Sequence, residues 1–119
     1  MGVGVVASPD TPFRAIAPFV GEVDVVLCMT VHPGFGGQSF MAEMLAKIEE
    51  TAAEIRHLGA ATVLQVDGGI DAVTAARCAR AGATAFVAGN AIFGRPDPLA
   101  AARALRMAVA DAGDASVRP

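Results

Sequence analysis

Three glycine-rich segments stand out because each follows a short apolar run. They are Gly34, Phe35, Gly36 and Gly37 in the first segment, Gly68 and Gly69 in the second, and Gly89 with Asn90 in the third. Glycine lets backbone N–H groups approach an anion closely, and helix N-termini that follow such turns bind phosphate readily. Each segment alone is also compatible with a simple tight turn, and none has the lysine-containing pattern of a nucleotide P-loop. Taken together, they predict a ligand that carries a phosphate group.

Asp67 is the acidic residue whose position says most about chemistry. It ends the mainly apolar run Val63–Val66 and begins an Asp-Gly-Gly segment. A carboxylate in a site that excludes water can act as a general acid or base, or can ligate a metal ion. A carboxylate before glycine can also serve only as a turn or helix cap. The neighbouring glycine segments favour the chemical role.

Two further residues lie near the first glycine segment. Met29 falls inside an apolar run and, by itself, is typical of core packing. His32 follows the same run and could in principle act as a base or a metal ligand. No second histidine or acid stands nearby at ligand spacing, so we interpret His32 as an ordinary loop residue.

The segments are connected by a regular alternation of predicted strands and helices. The predicted strands are Val3–Ala7, Asp24–Val31, Thr62–Val66 and Thr84–Ala88. Three predicted helices run from Thr11 or Pro12 to near Gly21, from a cap at Ser39 to an end at Gly59, and from Asp71 to about Ala81. A short helical turn is predicted at Ala91–Phe93, and a last helix begins at Asp97 and Pro98. The last helix has Leu99, Ala102, Leu105 and Val109 on one apolar stripe. This alternation predicts a parallel sheet with right-handed crossovers.

Two α/β architectures fit this order, a small doubly wound sheet and part of a (β/α)₈ barrel. The special residues follow the strands directly, which is where barrels place their active sites and phosphate-binding loops. This favours the barrel. A whole barrel takes about 250 residues, so the 119 residues of this chain correspond to about half of one. We predict four parallel βα units over residues 1–112 and a frayed tail over residues 113–119.

The composition excludes several classes of protein. Hydrophobic residues make up 54% of the chain and the formal net charge is −3, which excludes intrinsic disorder. Lys47 is the only lysine and no basic block is present, so we expect no nucleic-acid partner. The apolar runs are too short to span a bilayer. We interpret Cys28 and Cys78 as buried free thiols of a cytoplasmic protein, since no leader segment is evident.

Specific motifs resemble one known family. Met29–Phe40, which reads Met-Thr-Val-His-Pro-Gly-Phe-Gly-Gly-Gln-Ser-Phe, resembles the signature loop of ribulose-phosphate 3-epimerases. Val66–Ile70 and Val87–Phe93 resemble that family's last two strand ends, in the same order, and Pro9–Pro12 resembles the segment before its fifth helix. The resemblance runs from Gly2 to about Val109 and implies the C-terminal half of a TIM barrel.

The resemblance also implies an activity. It implies an isomerase of the pentose phosphate pathway that interconverts D-ribulose 5-phosphate and D-xylulose 5-phosphate. Two acidic residues of the family exchange the C3 proton on opposite faces of the substrate, assisted by one divalent metal ion. That ion would be zinc, iron, manganese or cobalt.

The implied roles carry over residue by residue. Asp67 matches an acid that is both a metal ligand and a catalytic acid or base, and Met29 matches a methionine of the active-site wall. The residues that match substrate and phosphate contacts are Gly34, Phe35, Gly36, Gly37, Gly68, Gly69, Gly89 and Asn90.

The first half of the family's barrel has no counterpart in this chain. That half carries the second catalytic acid and the remaining metal ligands, so we expect the chain alone to be inactive. It would need the missing N-terminal half or a partner chain, and the complete protein is expected to be a homo-oligomer. Two alternatives remain, a non-catalytic half-barrel that binds sugar phosphates and an epimerase of a related ketose phosphate such as allulose 6-phosphate.

Overall fold

A computed structural model describes residues 2–32 and 39–117, and for residues 113–117 it describes the backbone alone. Strands and helices alternate along the chain. The strands are β1 (Gly4–Ala7), β2 (Val25–Met29), β3 (Val63–Asp67) and β4 (Ala85–Val87). The α-helices are α1 (Phe13–Ile16), α2 (Met44–Leu58), α3 (Ala72–Ala81), α4 (Asn90–Phe93) and α5 (Pro98–Val117), and a 3₁₀ turn at Ala17–Phe19 follows α1.

The four strands form one parallel sheet in the order β1-β2-β3-β4. A doubly wound sheet reverses its strand order at a switch point, whereas a barrel adds each strand beside the previous one. The observed order is therefore that of four consecutive βα units of a TIM barrel. The predicted α/β fold class is confirmed.

The two faces of the sheet differ in burial because successive side chains of a strand point to opposite faces. On one face, Val26, Cys28, Leu64 and Val66 are buried in a core that also contains residues of α2, α3 and α5. On the opposite face, every residue of β2 and β3 is only partly buried or exposed. The apolar composition of β2 predicts burial on both faces, but the described chain covers only one of them.

Local signals placed several helix ends correctly. Asp71 caps α3, where its carboxylate accepts a hydrogen bond from the Thr74 N–H at 2.9 Å while the Thr74 hydroxyl accepts one from the Asp71 N–H. Gly59 and Gly82 end α2 and α3 in the left-handed conformation, with φ of 62° and 118°. The prediction that Ser39 caps α2 was wrong, because the chain makes a turn first and the cap position is Glu43.

Helix α5 is longer than the sequence pattern suggests. It continues to Val117, five residues beyond the predicted domain end at Ala112. Leu105 belongs to the core and Val109 packs against it, whereas Leu99 is exposed because it lies at the beginning of the helix. A domain boundary at residue 112 stays a prediction. None of the described helices is long and apolar enough to cross a membrane.

Candidate active site

Asp67 is the last residue of β3 and lies on the sheet face that the helices leave uncovered. Its register partner on β2 is Met29, and its register partner on β4 is Val87. The three residues thus form one row across the carboxyl ends of neighbouring strands. Barrel enzymes place their reactive groups at this end of the sheet. The tertiary structure therefore brings Met29 next to Asp67 although 38 positions separate them in the sequence.

Thr30 holds the loop after β2 against the loop that follows Asp67. Its backbone N–H and its hydroxyl both donate to the Asp67 carbonyl oxygen, at 2.9 and 3.1 Å, and the hydroxyl also contacts the carbonyl oxygen of Gly68. The Thr30 carbonyl accepts a hydrogen bond from the Met41 N–H at 2.8 Å. Because Thr30 is fully buried, these bonds form away from water, where leaving them unmade would be costly.

Sequence reasoning missed Thr30. The signal that could have identified it is a hydroxyl residue at the end of an otherwise apolar strand. Such a residue must find a hydrogen-bond partner once it is buried.

Gly68 and Gly69 make a close approach that other residues would prevent. Both have positive φ, 125° and 66°. A Cβ on Gly68 would lie 2.6 Å from Val31 Cγ2, and a Cβ on Gly69 would lie 2.7 Å from the Phe40 backbone nitrogen. These two glycines are therefore required by packing, whatever contacts they make with a ligand.

Gly89 is a glycine of a different kind. Its φ is −107°, and a Cβ built on it would meet no atom within 4 Å. Packing in the described chain does not require glycine at this position. Gly89 lines a cavity at the carboxyl ends of β3 and β4.

A cavity of about 1190 Å³ lies at the carboxyl ends of β3 and β4. The residues around it come from the strand ends, the following loops, α3, the beginning of α4 and the segment after α4. They are Val31, Ser39, Phe40, Asp67, Gly68, Gly69, Ile70, Asp71, Thr74, Arg77, Val87, Gly89, Asn90, Ala91, Gly94 and Arg95.

The cavity joins most of the predicted site residues that the structure describes. Asp67 and the second and third glycine segments all line it, whereas Met29 lies beside Asp67 without lining it. Gly34, Phe35, Gly36 and Gly37 lie outside the described residues. The residues that flank this first segment, Val31 and Ser39, both reach the cavity.

Arg77 and Arg95 are cavity residues that sequence reasoning did not single out. Arg77 lies on α3, and its guanidinium carbon is 5.7 Å from the centroid of the Phe40 ring. Arg95 follows α4 by two residues. A signal was present for Arg77, since it follows Thr74 by three residues on α3, which places the two on one helix face.

His32 lies just beyond β2, in the loop position that the sequence predicted. Its Nδ1 is 3.9 Å from Asp10 Oδ2, and both side chains are exposed. A pair at this distance and exposure contributes little to stability.

The described residues do not form a metal centre by themselves. Among residues 2–32 and 39–112, no three histidine, cysteine, aspartate or glutamate side chains come together where a metal ion could bind. Asp67 would contribute one carboxylate, and protein metal sites need several ligands. Cys28 cannot join it, because that side chain lies on the helix-covered face of the sheet, where burial raises the thiol pKa to about 11.

Comparison with known proteins identifies the family. The model of the ribulose-phosphate 3 epimerase family matches residues 1–93. The chain is 43% identical over 106 residues to the ribulose-phosphate 3-epimerase of Mycobacterium leprae (strain TN). This alignment covers 88% of the chain and 46% of that protein. It is 44% identical over 94 residues to the Escherichia coli (strain K12) enzyme of the same name. This alignment covers 79% of the chain and 42% of that protein.

A plant relative gives the same result. The chain is 44% identical over 94 residues to the chloroplastic ribulose-5-phosphate-3-epimerase of Arabidopsis thaliana, with 79% of the chain and 34% of that protein covered. The chain thus spans less than half the length of these relatives. Since the matches cover most of the chain, and the sheet has the strand order of a barrel, this chain belongs to the ribulose-phosphate 3-epimerase family.

Proposed function

We propose that this chain supplies one of the two acid–base groups of a ribulose-phosphate 3-epimerase, together with part of its phosphate site. The observation that carries the proposal is the position of Asp67. Its side chain lies at the carboxyl end of a barrel strand and lines the same cavity as Gly68, Gly69, Gly89 and Asn90. The proposed reaction interconverts D-ribulose 5-phosphate and D-xylulose 5-phosphate, a step of the pentose phosphate pathway.

The chemistry requires a group that moves the C3 proton. The C3–H bond breaks, its electron pair forms a C2–C3 double bond, and the C2 carbonyl oxygen takes up negative charge as an enediolate. Asp67 would accept the proton on one face of the substrate, or deliver a proton to that face in the opposite direction. Inversion at C3 needs a second acid on the other face, because one carboxylate reaches only one face. Met29, the register partner of Asp67, would limit the access of water from the side of β2.

The glycine loops would hold the other end of the substrate. Gly68 and Gly69 come directly after Asp67, and Gly89 and Asn90 lie across the same cavity. Backbone N–H groups in such loops bind phosphate oxygens. A sugar phosphate anchored there would keep C3 at one distance from the Asp67 carboxylate, which lowers the entropic part of the barrier. The glycine segment Gly34–Gly37 is proposed to complete this phosphate site.

The second acid and the remaining ligands of a divalent metal ion are proposed to come from outside this chain. They would be supplied by an N-terminal half of a longer protein or by a partner chain. The uncovered face of the sheet supports this proposal, since Val6, Val63 and Val87 expose 58%, 39% and 40% of their surface there. Exposed apolar side chains clustered on one face are typical of an interface.

The test is exchange of the C3 hydrogen of D-ribulose 5-phosphate with deuterium from D₂O, followed by proton NMR. The protein is used at its natural length and with its natural partner chain, if it has one. Asp67→Asn should lower the exchange rate by a factor of about 10² or more, since general acid–base groups contribute about 10²–10⁴. Asp111→Asn is the matched control, because Asp111 is exposed on α5 and does not line the cavity. Equal rates for Asp67→Asn and the parent would refute the assignment of Asp67.

A second candidate function is binding of a sugar phosphate without turnover. It is favoured by the cavity that Gly68, Gly69, Gly89 and Asn90 line, because such a cavity can hold a phosphate group without a second acid. Calorimetry with D-ribulose 5-phosphate, with and without a chelator, distinguishes the two functions when it is combined with the exchange experiment. Binding without exchange would favour the binding module. A panel that includes allulose 6-phosphate would identify an epimerase of a related ketose phosphate.

A further inference from the structure

Two arginines bring positive charge into the cavity that contains the proposed phosphate site. Arg77 comes from α3 and Arg95 from the segment that joins α4 to α5, so the two reach the cavity from different elements. The resemblance to the family provides only backbone groups and an asparagine for the phosphate. These arginines are therefore an addition that the structure alone reveals.

Arg77 contacts an aromatic ring beside the cavity. Its guanidinium carbon lies 5.7 Å from the Phe40 ring centroid, within the range of a cation–π interaction. The Phe40 backbone lies so close to Gly69 that a Cβ there would be 2.7 Å from the Phe40 nitrogen. The Arg77 side chain is partly buried, which reduces the freedom that binding would otherwise remove.

The guanidinium groups are not committed to other partners within the described part of the chain. No carboxylate there lies within 4.0 Å of either group, and neither group donates a hydrogen bond to another described residue. Asp71 also lines the cavity, but its carboxylate accepts hydrogen bonds from the N–H and the hydroxyl of Thr74. The donors of Arg77 and Arg95 are therefore available to an anionic ligand.

We propose that Arg77 and Arg95 bind the phosphate group of the ligand and make the site selective for phosphate monoester dianions. The inference rests on the proposed function for the position of the phosphate. The planar guanidinium presents paired donors that match two phosphate oxygens, and such charge-assisted bonds are stronger than bonds from backbone amides alone. Selection for phosphate esters over free ketoses follows, because an uncharged sugar leaves both guanidinium groups without a partner.

The test is calorimetric titration of the natural-length protein with D-ribulose 5-phosphate and with inorganic phosphate. The variants are Arg77→Gln, Arg95→Gln and the double substitution. Each single substitution should raise the Kd for both probes by about 10- to 100-fold, as expected for loss of a charge-assisted interaction. Arg80→Gln is the matched control, since Arg80 lies on the same helix, is exposed and does not line the cavity.

Two further measurements separate binding from folding. Arg77→Lys keeps the charge and should recover part of the affinity that Arg77→Gln loses. The slope of log Kd against log salt concentration should be shallower in the double variant, because fewer phosphate charges are neutralised. If Arg77→Gln fails to fold, Arg77→Lys and Arg95→Gln carry the test.

The outcomes for this inference and for the proposed function differ. If the double variant binds D-ribulose 5-phosphate as tightly as the parent, the inference is refuted while the proposed function stands. If the parent binds phosphate through the two arginines but does not exchange the C3 proton, the inference is supported and the epimerase proposal is refuted. If the parent binds neither probe, the inference is refuted.

Discussion

Thr30 donates both its backbone N–H and its hydroxyl to the carbonyl oxygen of Asp67, at 2.9 and 3.1 Å. The bonds connect the carboxyl ends of β2 and β3. They fix the backbone of the candidate catalytic residue without occupying its carboxylate. The acid is thus positioned by a neighbouring strand while its side chain remains free to exchange a proton.

Replacing Thr30 with valine should destabilise the protein by about 1–2 kcal/mol, because the substitution removes a buried hydroxyl and leaves the Gly68 carbonyl without that donor. Urea unfolding measures the change. Thr30→Ser keeps the hydroxyl and should retain the hydrogen bonds. Thr84→Val is the control, since the Thr84 hydroxyl makes only contacts of 3.4 Å on an exposed residue. Equal losses for Thr30→Val and Thr84→Val would contradict the proposed connection.

The Gly68→Ala and Gly89→Ala substitutions should change the free energy of unfolding by very different amounts. Gly68→Ala should cost about 1–3 kcal/mol or more, because φ is 125° and the new methyl would overlap Val31. Gly89→Ala should change stability by less than about 0.5 kcal/mol, since the space is open. Thermal unfolding measures both.

Gly89→Ala should nevertheless weaken binding of D-ribulose 5-phosphate, because the methyl group enters the proposed phosphate site. Calorimetric titration of this variant checks the effect separately from stability. Unchanged affinity would remove Gly89 from the site. Severe destabilisation would show that Gly89 is required by packing, like Gly68.

Stability should fall as the pH rises from 9 towards 11. Burial raises the pKa of the Cys28 and Cys78 thiols from 9.0 to about 11. Between these values the unfolded thiols ionise while the folded thiols keep their protons, so the folded state binds more protons and its stability decreases with pH. Below pH 9 this contribution is constant.

Urea unfolding of the parent and of the double variant Cys28→Ala/Cys78→Ala, measured from pH 8 to about 11, checks this dependence. The variant loses packing at every pH but should show a weaker decline above pH 9, since the thiols are absent. Parallel curves for the two proteins would mean that the thiols do not cause the decline.

Lys47 should stabilise the loop after β1. Its buried ammonium donates to the carbonyl oxygens of Ser8 and Pro9, at 3.0 and 3.3 Å. The Thr11 N–H donates to the same Ser8 carbonyl. Lys47→Met keeps the apolar stem and removes the hydrogen bonds, so the Thr11 amide should exchange with solvent roughly tenfold faster, the equivalent of one hydrogen bond.

Hydrogen exchange followed by NMR measures the rate at Thr11. The control is Arg56→Met, since Arg56 is exposed near the end of α2. An unchanged Thr11 rate in Lys47→Met would show that the loop is held by other contacts.

Several features of this chain depend on short-range interactions and were predictable for that reason. Asp71 and Thr74 form their capping box within four residues, and Gly59 and Gly82 end helices through their own backbone conformation. The alternation of apolar runs and amphipathic segments predicted the parallel sheet. The barrel architecture followed from the position of the special residues after the strands, and the strand order confirmed it.

Other features depend on contacts between distant segments. The sequence by itself determined the order of strands and helices, the helix caps at Asp71, Gly59 and Gly82, and the motif that carries Asp67. Only the tertiary structure decided that Thr30 bonds to Asp67 across 37 positions and that Phe40 supports Arg77. It also decided which glycines are required by packing. These relationships depend on strand register and on how loops meet in space, and no local pattern of residues encodes either one.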